Sequence, residues 1–226
     1  KDDHIRGQAR FCPYKRLNNA FMLHASTSPF YPLFASLDVN AKIHEGESGR
    51  RLWAECVELG IEVRKAILAN CRMIKPFIPA EVAGRPWQDS PTEMIAVERR
   101  FFNFEPDAKW HGFSGYGRDE YMVDPCKLLT TPGIDAETGE YAEFGVPAAI
   151  LAHYLRENGV VPEKSDLNSI LFLLTPAETP HKMAHLVAML AQFEQHIENN
   201  TPLSEVLPSV WQKYPLRYKN YTLRKL

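Results

Sequence analysis

The chain has 226 residues, with 26 Lys and Arg against 28 Asp and Glu, and 45 % hydrophobic residues. This is the balance of a folded globular protein, and it excludes a disordered or fibrous one. A formal charge of -2 supplies no basic field for nucleic acid or an anionic membrane surface. An apolar run such as Ile170 to Leu174 is of strand length, and none approaches the ~20 residues a membrane-spanning helix needs.

From Lys1 to Asn19 the chain is basic and turn-prone, as expected of a solvated surface connection. An apolar run from Ala20 then enters three consecutive hydroxyl residues, Ser26, Thr27 and Ser28, stopped by Pro29. This pattern predicts a strand ending in a turn, or a strand-to-helix junction. Three adjacent hydroxyls on a turn have the donors to hold one phosphate, and they also suit simple turn and capping work.

Leu52, Cys56, Leu59, Val63 and Ile67 repeat at intervals of four, three, four and four, predicting an amphipathic helix over about 49–70. Beyond it the texture becomes rich in Pro and aromatic residues, which places an expected domain boundary near residue 72. The aromatic residues between 101 and 121 are read as core and interface packing, because the nearby charges cancel. Gly112, Gly115 and Gly117 lack the spacing of a dinucleotide loop and are expected to form a flexible aromatic loop.

Cys126 to Thr131 reads as a strand closed by Pro132-Gly133, and Asp135 to Gly139 as a polar turn. Pro147 fits a first helical position, the stripe Ile150, Leu151, Tyr154 and Leu155 predicts a short helix, and Gly159 suits the residue after it. Ser169 to Thr175 reads as a buried strand. Thr179-Pro180 then opens a helix with Met183, Leu186, Val187, Leu190, Phe193 and Ile197 on its apolar face. Tyr221 to Leu226 reads as the start of another helix with Thr222 as cap. Strands covered by helices give an α/β to α+β layer fold.

His181 and His185 are spaced to face one metal, but Lys182 stands where a zinc protease would carry its Glu, and no third ligand lies nearby. No metal site is therefore expected. Cys12, Cys56, Cys71 and Cys126 are widely spaced and are expected to be reduced thiols in a cytoplasmic protein.

Longer strings carry a resemblance. His24-Ala-Ser-Thr-Ser-Pro-Phe-Tyr-Pro-Leu-Phe-Ala-Ser-Leu-Asp-Val-Asn40, Val123-Asp-Pro-Cys-Lys-Leu-Leu-Thr-Thr-Pro-Gly-Ile-Asp135, Phe144 to Gly159, Pro162 to Glu178 and Val206-Leu-Pro-Ser-Val210 resemble the bacterial ornithine/lysine/arginine decarboxylases, most of all the ornithine branch. The resemblance implies a pyridoxal-phosphate enzyme of fold type I, forming a homodimer or higher homo-oligomer that acts on a small amino acid. It implies that residues 1–71 are the end of the large cofactor domain with its connecting helix, and that 72–226 are an α+β small domain, incomplete at its C-terminus. The matching hydroxyl turn implies that Ser26 first, with Thr27 and Ser28 beside it, reaches the cofactor phosphate of the neighbouring subunit.

One departure bears on activity. The family's Ser-x-His-Lys motif, whose lysine carries the cofactor, is absent from the 226 residues; the nearest string, Pro180-His181-Lys182, falls on the predicted amphipathic helix. No catalytic residue is therefore assigned, and the isolated segment is expected to be inactive. The expectation is an internal segment of an ornithine decarboxylase, with a non-catalytic dimerisation or regulatory relative as the alternative.

Overall fold

A computed structural model describes residues 11–135 and 137–226. The chain divides into a unit ending at Gly49 and a second unit from Arg50 to Leu226.

In the first unit, α1 (Tyr14–His24) and α2 (Tyr31–Ile43) are joined through Ser26-Thr27-Ser28-Pro29, and α3 (Gly46–Asn70) begins just before the unit ends. The run Ala20 to His24 is thus the last part of a helix and not the predicted strand. Its apolar residues were legible, but four of them in a row fit either element, and the helical start at Tyr14 decides the type. Neither α1 nor α2 buries a residue within the chain, and Phe21, Leu23, Phe30, Tyr31 and Leu37 are all more than half exposed.

The second unit is built on a four-stranded antiparallel sheet in the order β1 (Ile74–Pro76), β4 (Lys127–Pro132), β6 (Ile170–Leu173), β5 (Lys164–Ser165). A small hairpin, β2 (Glu81–Val82) with β3 (Arg85–Pro86), lies between β1 and the short helix α4 (Thr92–Val97). Register is set by Leu128 against Phe172 and Thr130 against Ile170. The antiparallel pairing with helices set into the long connections makes this unit an α+β arrangement.

The sheet is covered by α5 (Ala148–Glu157), α6 (Pro180–Glu198) and the part of α3 from Arg50 onward. Their core joins Cys56, Val63 and Ile67 of α3 to Leu151 and Leu155 of α5, to Leu186, Leu190 and Phe193 of α6, and to Ile74, Leu128 and Ile170 of the sheet. All six apolar-face residues read for α6 are buried. Thr179 caps that helix by accepting the Lys182 amide, and Pro180 sits in its first turn. A second core gathers Ile61, Ile78, Trp87, Ile95, Phe101, Phe102 and Val123. The aromatic stretch is therefore partly core, as read, while Phe113 and Tyr121 stay exposed.

Two further predicted elements differ. Pro147 is the residue flanking α5, with Ala148 first in the helix; Gly159 has φ +79° beyond its end, as read. The segment after Tyr221 is only a 3₁₀ turn, Leu223–Lys225, and Thr222 makes no capping bond. Its backbone instead bridges to Pro202, after which α7 (Leu203–Val206), α8 (Pro208–Lys213) and α9 (Pro215–Tyr218) lead into it.

Candidate functional site

Ser26, Thr27 and Ser28 sit on the exposed connection between α1 and α2, directly before the α2 N-terminus. The Ser26 hydroxyl donates to the Ser28 carbonyl at 3.0 Å, and its oxygen accepts the Ser28 amide at 3.3 Å. Ser26 therefore spends its hydroxyl on the shape of the turn. Thr27 and Ser28 are exposed, and among the described residues neither hydroxyl is engaged in a hydrogen bond of the kind that holds Ser26. Neutral donors next to a helix N-terminus, where backbone dipoles favour an anion, suit a phosphate. The turn is thus compatible with the phosphate end of the cofactor named above, and the donors it offers are Thr27 and Ser28 more than Ser26.

The other histidine and glycine motifs do not assemble a site. Among the described residues no group of three His, Cys, Asp or Glu side chains is placed to hold a metal ion. His181 and His185 are exposed on α6, and His185 Nε2 lies 3.1 Å from the Asn158 carbonyl at the end of α5. Lys182, in the string nearest the family's lysine motif, is an exposed first-turn residue paired with Glu178 at 3.4 Å. Gly112 and Gly115 have positive φ in an open loop.

Four features of the second unit were not read from the sequence. Arg64 is buried on α3, with Nη1 donating to the Gly60 and Pro125 carbonyls at 3.0 and 2.8 Å and Nη2 to Lys127 at 2.9 Å. Burial pulls its guanidinium down to about 10 against the opposing charges of Cys126 and Asp124, and Cζ lies over the Phe102 ring, 5.6 Å from its centre. Glu194, buried on α6, accepts the amides of Arg72, Met73 and Ile74. Cys56 and Cys126 bring their sulfurs to 4.0 Å. A cleft of about 650 Å³ opens beside Met73, Pro76, Trp87, Ile134 and Phe144, with Arg72, Lys75, Glu81, Asp135 and Glu137 as its charged lining. None of the predicted site residues lines it.

Residues 2–182 match the family model described as "Orn/Lys/Arg decarboxylase, major domain". The chain belongs to this family. Over its whole length it is 78 % identical to the constitutive ornithine decarboxylase of Escherichia coli K12, covering 32 % of that protein, and 63 % identical to an ornithine decarboxylase of Haemophilus influenzae, again covering 32 %. Lysine decarboxylase LdcA of Pseudomonas aeruginosa is more distant, 38 % identical over 97 % of the chain and 29 % of the relative. Among solved structures, lysine decarboxylase A from Pseudomonas aeruginosa superposes with TM-score 0.73 at 35 % identity, over 93 % of this chain and 28 % of the other. The Francisella novicida lysine decarboxylase LdcF gives 0.75 at 30 %, over 93 % and 28 %. The chain spans about a third of the length of these curated relatives. Among the described residues no helix is long and apolar enough to cross a membrane.

Proposed function

We propose that this chain is a segment of a pyridoxal-phosphate-dependent amino-acid decarboxylase that converts ornithine to putrescine and CO2. The observation that carries the reading is the 78 % identity, along the entire chain, to an ornithine decarboxylase, against 38 % for a lysine decarboxylase. In this reading the chain runs from the end of a fold type I large domain, through α3 as the connection, into the small domain.

When bound, pyridoxal phosphate supplies the electron sink that lets an α-carboxylate leave as CO2. The residues of this chain contribute position. The Thr27 and Ser28 hydroxyls would donate to phosphate oxygens, and Ser26 holds the turn that would present them. The apolar side chains exposed on α1 and α2 favour burial against other parts of the assembled enzyme, including a second subunit. A phosphate held from a second subunit couples cofactor retention to dimerisation.

The test uses the full-length gene product. Borohydride reduction is expected to fix the cofactor on a lysine outside residues 1–226, and the Thr27→Ala/Ser28→Ala double variant to bind the cofactor at least tenfold more weakly while keeping its dimer. Unchanged cofactor affinity in the double variant would remove the phosphate role. A cofactor fixed on a lysine within 1–226 would overturn the reading of the segment as lacking that residue.

A further inference from the structure

The second unit contains two sulfurs that the decarboxylation chemistry does not use. Cys56 lies on α3 and Cys126 in the turn that leads into β4, and their Sγ atoms are 4.0 Å apart, so bond formation requires them to close by about 2 Å. Cys71, the third cysteine of this unit, shows no such contact among the described residues. We infer that Cys56 and Cys126 form a reversible disulfide under a hydroperoxide oxidant, stapling α3 to the turn that leads into β4.

The surroundings explain both the pairing and what the bond would hold. Cys126 is anchored by its own backbone: its amide donates to the Asp124 carboxylate at 2.9 Å and its carbonyl accepts the Leu174 amide at 2.8 Å. One turn along α3 from Cys56, Gly60 allows close approach, since a Cβ there would stand 2.7 Å from Leu174 and 3.2 Å from the Pro125 carbonyl. The helix and the Pro125-Cys126 turn are thereby held against each other with the sulfurs facing. Arg64 already ties the same two segments through the Pro125 and Lys127 carbonyls, and the disulfide would make that tie covalent.

The chemistry balances with one peroxide. The half-buried Cys126 sulfur attacks a peroxide oxygen; an S–O bond forms, the O–O bond breaks, and the leaving oxygen takes the thiol proton as water (or as alcohol from an organic peroxide). The Cys56 sulfur then displaces the new hydroxyl, forming S–S and releasing water with the second thiol proton. Two thiols are oxidised and one peroxide is reduced. Burial, followed by the neighbouring Cys56, pushes the Cys126 thiol up to about 12, so the first step is slow and the pair answers to sustained oxidant.

The test is peptide mapping of the full-length protein. After prolonged exposure to hydrogen peroxide, alkylation of remaining thiols and digestion without reductant, a Cys56–Cys126 linked peptide lacking two hydrogens is expected, disappearing on addition of dithiothreitol. It should persist in Cys71→Ser and be absent in Cys126→Ser. Recovery of both residues as alkylated thiols, over-oxidation of Cys126 to the sulfinic acid without linkage, or a link from either to another cysteine would each overturn the inference, and none of these bears on whether the protein decarboxylates ornithine.

Discussion

The Glu194 carboxylate lies 2.7 Å from the Ile74 amide, tying the C-terminal part of α6 to the first residue of β1. The same carboxylate accepts the Arg72 and Met73 amides at 2.6 and 2.9 Å. Three consecutive amides just past the end of α3 thus converge on one buried acceptor where the chain turns into the sheet. Glu194→Ala would leave these amides unanswered and is expected to cost ~3–5 kcal/mol, as expected when a buried hydrogen-bonded charge is deleted. The shift in urea midpoint, with m unchanged, checks it; a loss below about 1 kcal/mol would mean that water replaces the carboxylate at no great cost.

Arg64 satisfies three carbonyls with one planar fork. Lysine keeps the charge but cannot span carbonyls at Gly60, Pro125 and Lys127 together. Arg64→Lys is therefore expected to destabilise by ~2–3 kcal/mol, mainly through carbonyls left unpaired. Arg64→Met, which matches the length and removes the charge, is expected to fall within about 1 kcal/mol of the lysine variant, because the apolar side chain avoids burying a charge.

Gly133 has φ +114°, and a Cβ there would stand 2.5 Å from Gly145 Cα, a backbone atom that cannot swing aside. Gly133→Ala is expected to cost ~2–4 kcal/mol from strain and enforced separation of the two segments. Gly112, with positive φ but open space around it, serves as control: Gly112→Ala is expected to cost only ~1 kcal/mol. Equal losses at both positions would refute the close-approach account.

Much of this was legible and some was not, for reasons that particular residues show. The α6 stripe, the Thr179 cap and the Gly159 terminus follow from side-chain periodicity and local chemistry, so sequence suffices. Glu194 also left a signal: it stands four residues after Leu190 and three before Ile197, on the apolar face, where a carboxylate requires a buried partner. Its partners are backbone amides, which carry no residue identity, and so they could not be named. The Cys56 and Cys126 contact joins positions 70 residues apart and depends on tertiary packing alone. At the candidate site the hydroxyl turn is visible in the sequence, but which hydroxyls remain available depends on the Ser26 bonds to Ser28, which the folded backbone sets.

Asp135 offers a pH test. Its carboxylate accepts the Thr138 amide, the Thr138 hydroxyl and the Glu137 amide, and these bonds hold it below the usual aspartate range. A depressed acid binds fewer protons folded than unfolded, so its contribution is complete above the ordinary aspartate pKa and is lost as pH falls through the folded value. Asp135→Asn is expected to be less stable than the parent at neutral pH, with the gap closing on acidification below the ordinary range. A gap independent of pH would show that the charge of Asp135 is not what orders the turn.

The most direct measurement is release of CO2 from carboxyl-labelled ornithine by the full-length protein supplied with pyridoxal phosphate, run beside lysine and arginine. The account predicts CO2 and putrescine in equal amounts from ornithine, with kcat/KM at least tenfold above that for either other amino acid. No CO2 from any of the three, or a preference for lysine, would contradict it.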